Sequence, residues 1–160
     1  MKRFSYIFLT IAFFSASCSE KNFVITEDSI PSDIFYLENE IKPFTGKCTI
    51  YYRNTETIKE TISFKKGVLN GEHTSYYKNG QVKRKGSYVN GCLHGKWTGY
   101  DMEGHKVFEA EYKNDTLVGR FITWYSSGVI REKGSYKNNH RVGEWHSFDE
   151  AGMTISKVIL

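Results

Sequence analysis

Residues 71–94 read GEHTSYYKNGQVKRKGSYVNGCLH, and residues 95–118 repeat that pattern as GKWTGYDMEGHKVFEAEYKNDTLV. The pattern continues as GRFITWYSSGVIREKGSYKNNHRV from residue 119 and as GEWHSFDEAGMTISKVIL from residue 143. Columns that hold one residue type with a period of 24 are a strong sign of an internal repeat. Two repeat-defining columns are glycine, and they hold Gly71, Gly95, Gly119 and Gly143, then Gly80, Gly104, Gly128 and Gly152. Two others are mainly aromatic, and they hold Tyr76, Tyr100, Trp124 and Phe148, then Tyr88, Tyr112, Tyr136 and Leu160.

Each repeat is divided by a turn at its second glycine. The pair Asn79-Gly80 is typical of a type I′ hairpin turn, because both residues tolerate a positive φ. We therefore expect residues 72–77 to pair with residues 82–88, and the later repeats to form equivalent hairpins. The linkers between hairpins also carry residue types that accept a left-handed backbone, namely Gly67, Gly91, Asp115 and Asn139.

The second strand of each repeat alternates between small and charged residues. Its small residues share a face with the Tyr88 column, which leaves room for rings to lie over the backbone. These small residues are Gly86, Ala110, Gly134 and Val158, and the opposite, solvated face carries Lys85, Glu109, Lys133 and Lys157. In the first strand, the columns of His73 and Tyr76 are three residues apart, so they lie on opposite faces unless a bulge intervenes. The sequence leaves both arrangements open.

The repeats predict an all-β fold. We expect an elongated, single-layer antiparallel meander of nine or ten strands, made of one degenerate and four regular β-hairpin repeats over residues 44–160. In the degenerate unit, Tyr52 and Phe64 precede Tyr76 and Tyr88 by one period, and its turn lacks glycine. Degenerate end units serve as caps in repeat arrays, and residues 34–41 are a candidate covering half-unit.

The N-terminus has the features of a targeting signal. Lys2 and Arg3 precede an apolar run over residues 4–14, which small residues separate from Cys18. This order predicts a secretory signal peptide over residues 1–17, since the apolar run is shorter than the about 20 residues that span a bilayer.

The stretch that ends at Cys18 resembles a bacterial lipobox. That resemblance implies cleavage before Cys18, lipidation of Cys18 and a tether and partial cap over residues 18–43. The protein would then be exported to the bacterial cell envelope and held there by the lipid, at the outer membrane and facing the periplasm or the surface. Ser15 stands where leucine is usual, which leaves ordinary signal cleavage as the alternative.

The charge of +4 is unevenly spread. Residues 20–43 hold six acidic and two basic residues, whereas residues 44–160 hold 18 basic and 12 acidic residues. A net charge of +6 over the repeats is mild, so it indicates a soluble domain and no nucleic-acid partner.

No catalytic or cofactor-binding constellation is visible. The five histidines fall in different repeat columns, and none joins a cysteine or carboxylate at metal-ligand spacing. Phosphate-binding, dinucleotide-binding and nucleophile-elbow motifs are absent from the sequence. We therefore expect a non-enzymatic protein with no catalytic residue, metal or cofactor. The repeat register separates Cys48 from Cys92 by roughly 19 Å, well beyond disulfide reach, which predicts two free thiols.

Two motifs resemble known repeat families. Gly95-Lys96-Trp97 and Gly143-Glu144-Trp145 each follow a Tyr- and Asn-containing linker and precede an aromatic residue, and they resemble MORN-variant repeats. Residues 43–46, Pro-Phe-Thr-Gly, lead to Tyr51-Tyr52 and resemble the opening of the YwqK-family antitoxins. The resemblance covers about residues 34–160 and implies a β-hairpin repeat fold.

These features predict a membrane-anchored module that binds or scaffolds a protein. Alternatives are a YwqK-type protein that neutralises a cognate toxin, and an envelope protein that binds lipid or glycan through its aromatic face. The candidate interaction surface comprises Tyr76, Tyr100, Trp124, Phe148, Ile155 and Val158. Residues 153–160 are the most apolar stretch of the repeats, and the sequence leaves two outcomes: the edge of this last strand stays open, or the chain end frays or folds back. A partner, or a second copy in a two-fold homodimer, could add a strand there.

Overall fold

The computed structural model describes residues 42–160. The predicted signal peptide, Cys18 and the candidate half-unit over residues 34–41 lie outside this range. Within it, every regular element is a β-strand, and ten strands form one open antiparallel sheet in sequence order. The predicted single-layer all-β meander is confirmed.

The strands follow the repeat. Their bounds are β1 Gly46–Tyr51, β2 Ile58–Lys65, β3 Val68–Tyr76, β4 Val82–Val89, β5 Cys92–Tyr100, β6 Lys106–Lys113, β7 Thr116–Trp124, β8 Ile130–Lys137, β9 His140–Phe148 and β10 Thr154–Ile159. Each pair of neighbouring strands is thus joined by a short loop, and no strand crosses over another.

Two kinds of turn alternate along the chain. The linkers are two-residue turns in which both residues have a positive φ, as in Asn90 (51°) and Gly91 (85°), the geometry of a type I′ turn. The hairpin tips differ, so the type I′ prediction for Asn79-Gly80 is wrong. Only Gly80 has a positive φ there, while Asn79 Oδ1 accepts the N–H of Gln81 at 3.1 Å. The tip is therefore a three-residue loop that ends in a left-handed glycine.

Two bulges recur in the repeats. The first bulge lies at the glycine with a positive φ. There one strand has two extra residues, so that Asn70, Gly71 and Glu72 together lie opposite the single residue Ser63. At the second, near the hairpin tip, one residue such as Lys83 is added to the following strand. These bulges tilt the strands locally and set which side chains reach across the sheet.

One face of the sheet, here called the Trp face, carries Trp97 and Trp145. Each indole lies directly over a glycine of the preceding strand, because a Cβ on Gly86 would come within 2.2 Å of Trp97 and one on Gly134 within 2.3 Å of Trp145. The rings form two triads, His73 with Tyr88 and Trp97, and Phe121 with Tyr136 and Trp145. The small-residue column thus makes room for the rings, as the sequence predicts.

The opposite face, here called the Lys face, carries Lys85 and Lys133. Lys85 Nζ lies 5.6 Å from the ring centre of Tyr100, and Lys133 Nζ lies 5.3 Å from that of Phe148. Since Lys85 and Gly86 are neighbours on one strand, their side chains point to opposite faces. The columns of His73 and Tyr76, left open by the sequence, therefore lie on opposite faces.

A buried apolar cluster lies at the β1–β2 end. It consists of Phe44, Cys48, Ile50, Ile62 and Phe64, with Leu69 packed against it. Cys48 is fully buried and Ile62 is 1% exposed. This end of the sheet therefore holds much of the protein's hydrophobic stabilisation.

Tyrosine hydroxyls donate hydrogen bonds between neighbouring repeats at three of the four repeat junctions. The hydroxyl of Tyr77 donates to the carbonyl of Tyr100 at 2.9 Å, and that of Tyr125 donates to the carbonyl of Phe148 at the same distance. Tyr52 makes the equivalent bond to Tyr76 at 2.7 Å. The repeats are thus held together by specific bonds as well as by the backbone ladder.

Candidate functional site

Cations cover the aromatic column of the Lys face. Tyr76, Tyr100, Trp124 and Phe148 are all half-buried. Lys106, from a different repeat column, has its Nζ 5.5 Å from the ring centre of Trp124, a distance similar to those of Lys85 from Tyr100 and of Lys133 from Phe148. Contacts of this kind stabilise exposed sites by about 0.5–1 kcal/mol each. Three of the four predicted aromatic residues therefore have a lysine over one ring face.

Acidic side chains hold some of these lysines in place. Glu109 accepts from Lys96 Nζ at 3.0 Å and from Lys106 Nζ at 3.4 Å. Partial burial works to raise the pKa of Glu109, but the two ammonium groups outweigh it and leave the pKa below its ordinary value. The carboxylate stays ionised near neutral pH, so Lys106 remains positioned over Trp124.

The other part of the predicted surface is strand β10. All of its residues are exposed, including Ile155 (65%) and Ile159 (72%). Of the nine large exposed hydrophobic residues in the described chain, five lie in the last eight positions. These five are Met153, Ile155, Val158, Ile159 and Leu160. Apolar exposure is therefore concentrated at one edge of the sheet.

The backbone N–H and C=O groups of β10 point toward β9 at one residue and away from it at the next. Leu160 and Gly143 exchange both N–H···O=C bonds at 3.0 Å, so they form a hydrogen-bonded pair of the β9–β10 ladder. Because such pairs alternate along an antiparallel ladder, Val158 also bonds to β9. Lys157 and Ile159, between these positions, direct their N–H and C=O groups away from β9. Among residues 42–160, no strand pairs with this outer side.

A small charged network fixes the last strand on the Lys face. Glu144 of β9 accepts from Lys157 Nζ at 3.0 Å and contacts His146 Nε2 at 3.3 Å. The Lys157 hydrogen bond, followed by that of His146, lowers the pKa of Glu144. The ammonium group of Lys157 is thereby drawn toward β9 and away from the open edge.

The described histidines and cysteines do not form a metal site. No group of three or more His, Cys, Asp or Glu comes together within residues 42–160. His73 is buried on the Trp face, where its Nε2 lies 3.1 Å from Glu60 Oε2. Cys48 lies on β1 and Cys92 on β5, and their separation by four strands is too large for a disulfide between them. A hydrogen bond to Asp115 is the main cause of the raised pKa of Cys92.

Charge is also divided along the sheet, a division that the net charge of the repeats conceals. Residues 42–89 hold ten basic and three acidic residues, whereas residues 90–160 hold nine of each. The most basic segment, at β4, includes Lys78, Lys83, Arg84 and Lys85, all exposed. Among the residues that the structure describes, none of these four takes part in an ion pair. Counting charges by half-chain would have revealed this polarity.

The described range contains no helix that could cross a membrane.

Comparison with known families finds a match for the hairpins in the middle of the sheet. Residues 69–90, 93–114 and 117–138 each match the family model of the MORN repeat variant. These segments run from β3 to β8, and the hairpin of β1 and β2 and that of β9 and β10 extend the same sheet outside them. MORN repeats are in general non-catalytic modules that bind proteins or lipids. No curated protein matches the chain.

Proposed function

We propose that the protein is a binding module that is anchored to a bacterial membrane through a lipid on Cys18 and takes up a protein partner by strand addition at β10. The outer side of β10, with which no strand of residues 42–160 pairs, carries this proposal. An edge strand with unpaired N–H and C=O groups is a template for another strand, and natural proteins usually cover or blunt such edges. A toxin-neutralising role of the YwqK type would be one form of this function, with a toxin as the partner.

Two observations favour the edge over the aromatic column as the binding surface. The column is half-buried, and lysines lie over three of its rings. By contrast, β10 combines exposed β-branched side chains with an outer backbone side that no strand in the described part of the chain pairs. Main-chain hydrogen bonds supply affinity in strand addition, and alternate side chains supply specificity.

The experiment compares two substitutions of Lys157, one that removes its backbone N–H and one that keeps it. Lys157→Pro removes an outward donor without touching the β9 ladder, whereas Lys157→Gln removes only the charge. A photo-crosslinking residue at Ile159, in cells that make the full-length chain, should give a protein adduct that Lys157→Gln retains and Lys157→Pro loses. Adducts that survive Lys157→Pro, or that form only from a probe at Tyr100, would contradict binding at the edge.

The anchor is tested separately at Cys18. Dual acylation anchors a protein stably, whereas an unlipidated soluble domain does not remain with the membrane. Cys18→Ser should release the protein into the soluble fraction, and Cys92→Ser serves as the matched control that stays with the membrane. Membrane fractionation of a correctly processed Cys18→Ser protein would show that the lipid is not the anchor.

The charge polarity favours a second candidate function, contact with anionic lipid headgroups by the β1–β4 half. Lysine and arginine near an anionic surface each contribute about 1 kcal/mol. Replacing Lys83, Arg84 and Lys85 together by glutamine should weaken binding to phosphatidylglycerol vesicles but not to phosphatidylcholine vesicles. The control replaces Arg131, Lys133 and Lys137 in the neutral half. Equal loss in both triple variants would point to general charge and not to the basic half.

A further inference from the structure

We propose that β10 pairs antiparallel with β10 of a second copy of this chain, in the one register that places Val158 opposite Val158. This inference deepens the proposed function, on whose open edge it rests, and identifies the partner strand. It would join two ten-stranded sheets into one continuous sheet around a two-fold axis.

The direction of the backbone N–H and C=O groups in β10 limits the registers in which two β10 strands can pair. Only Lys157 and Ile159, and Ile155 at the bulge, direct their backbone groups outward, so these residues must bond to one another across the axis. The axis can therefore pass at Ser156, Lys157, Val158 or Ile159. Each choice pairs different residues of the two strands.

Three of these registers are unfavourable. An axis at Lys157 sets two lysines directly opposite each other, and like charges in that position are destabilising. An axis at Ser156 requires Ile155 to form a regular pair, although the β9–β10 register shifts between Thr154 and Ser156. An axis at Ile159 gives the outward groups of Lys157 no partner in the described strand, so only the Ile159 pair would exchange hydrogen bonds.

The register centred on Val158 fits on both faces. On the Trp face, Val158 lies opposite Trp145 of its own chain, so the two valines would link two tryptophans in one apolar row. Val158 would occupy a non-hydrogen-bonded position, where side chains approach most closely. On the Lys face, Lys157 would face Ile159 of the second copy, and each of the two such pairs would exchange two backbone hydrogen bonds.

Lys157 is already placed for this arrangement. Its ammonium group is 3.0 Å from Glu144 on the inner side, so the methylene stem is free to cover Ile159 of the second copy. A lysine on an edge strand usually discourages pairing. Here the ion pair with Glu144 compensates its charge, and the strand remains self-complementary.

A cysteine scan tests the register. In a full-length Cys92→Ser background, Val158→Cys should form an intermolecular disulfide in cells treated with a membrane-permeable oxidant. The Cα separation of about 4.5 Å in a non-hydrogen-bonded pair lies within disulfide range. Lys157→Cys and Ser156→Cys are matched controls, because this register places neither opposite itself. Non-reducing gels should show dimer for Val158→Cys in clear excess over both.

The dimer can also be measured without an oxidant. Sedimentation equilibrium of the full-length chain should show a reversible dimer, which Ile159→Pro weakens about tenfold or more because two hydrogen bonds are lost per dimer. Ile159→Val keeps the N–H and should dimerise as the wild type does.

Other outcomes separate this inference from the proposed function. A strong Lys157→Cys disulfide without one at Val158 would overturn the register. A monomer that still loses its Ile159 photo-adduct with Lys157→Pro would refute self-pairing but leave strand addition by another protein standing. A monomer with an unaffected adduct would refute both.

Discussion

The two ends of the sheet are built from the same kind of hairpin, yet they differ in burial. At the β1–β2 end, Cys48 and Ile62 are almost fully buried within an apolar cluster. At the β9–β10 end, Trp145 is buried, but all of β10 is exposed. The degenerate β1–β2 unit thus buries its apolar side chains in a cluster, whereas β10, also a terminal strand of the sheet, leaves its apolar side chains exposed.

The largest expected difference concerns proline at one repeat column. Lys133 on β8 pairs with β7 and β9, so its N–H belongs to the ladder on one side or the other. Lys133→Pro should lower the free energy of unfolding by about 3 kcal/mol or more. Lys157→Pro, one period later at the edge, should cost at most about 1 kcal/mol. Urea denaturation measures both, and equal losses would contradict an open outer side of β10.

Replacing isoleucine by alanine should destabilise the protein much more at the β1–β2 end than at the β9–β10 end. Ile62 is 1% exposed, so Ile62→Ala should destabilise the protein by about 2–5 kcal/mol through lost burial and a residual cavity. Ile159→Ala, at a position that is 72% exposed, should change stability by about 0.5 kcal/mol or less. These values apply to the monomer, so the comparison is made at low protein concentration. A large effect at Ile159 there would indicate that β10 is covered.

The small-residue column gives a third comparison. Gly86→Ala places a methyl group where the Trp97 ring now lies, and overpacking of this kind costs about 1–3 kcal/mol. Val158→Ala in the same column should cost less than about 1 kcal/mol, because Val158 is exposed. Thermal melting followed by tryptophan fluorescence would report both effects. An unchanged Trp97 environment in Gly86→Ala would argue against the close approach of ring and backbone.

The smallest effect is a pH dependence confined to the last strand pair. Because the folded-state pKa of Glu144 is lowered, its contribution is present above the ordinary pKa and is lost as the pH falls through the lowered value. The protection factors of the β10 amides, which correct for the intrinsic pH dependence of exchange, should therefore fall on acidification before those of the interior strands do. Glu144→Gln should remove this step, whereas Glu150→Gln at the exposed hairpin tip should keep it. A wild-type pH profile in Glu144→Gln would show that another group is responsible.

The repeat period was enough to predict the strands and the fold. Tyr88, Gly86 and the glycine columns recur with the same spacing, and the alternation along β4 assigns its two faces. The hairpin-tip geometry was not predictable from Asn79-Gly80, because this pair suits both a two-residue turn and a three-residue loop. The side-chain hydrogen bond of Asn79 to Gln81 belongs to the longer loop.

The candidate site was predictable only in part. The apolar, β-branched composition of residues 153–160 pointed to the edge. The outward direction of Lys157 and Ile159 depends on the hydrogen-bonded pair of Gly143 with Leu160, which no residue pattern specifies. Likewise, the lysines over Tyr100 and Phe148 come from a neighbouring strand, so their placement depends on the bulged register and not on spacing along the chain.

The strictly sequential strand order has a consequence for folding kinetics. Every strand of the sheet pairs with its immediate neighbours in sequence, so the loops closed on folding are short. Sheets of low contact order fold faster than barrels or sandwiches, in which distant strands must meet. We expect this chain to fold hairpin by hairpin as it emerges, each new strand adding to an existing template. Within residues 42–160, the outer backbone of β10 presents the same kind of template that each earlier strand offers to its successor.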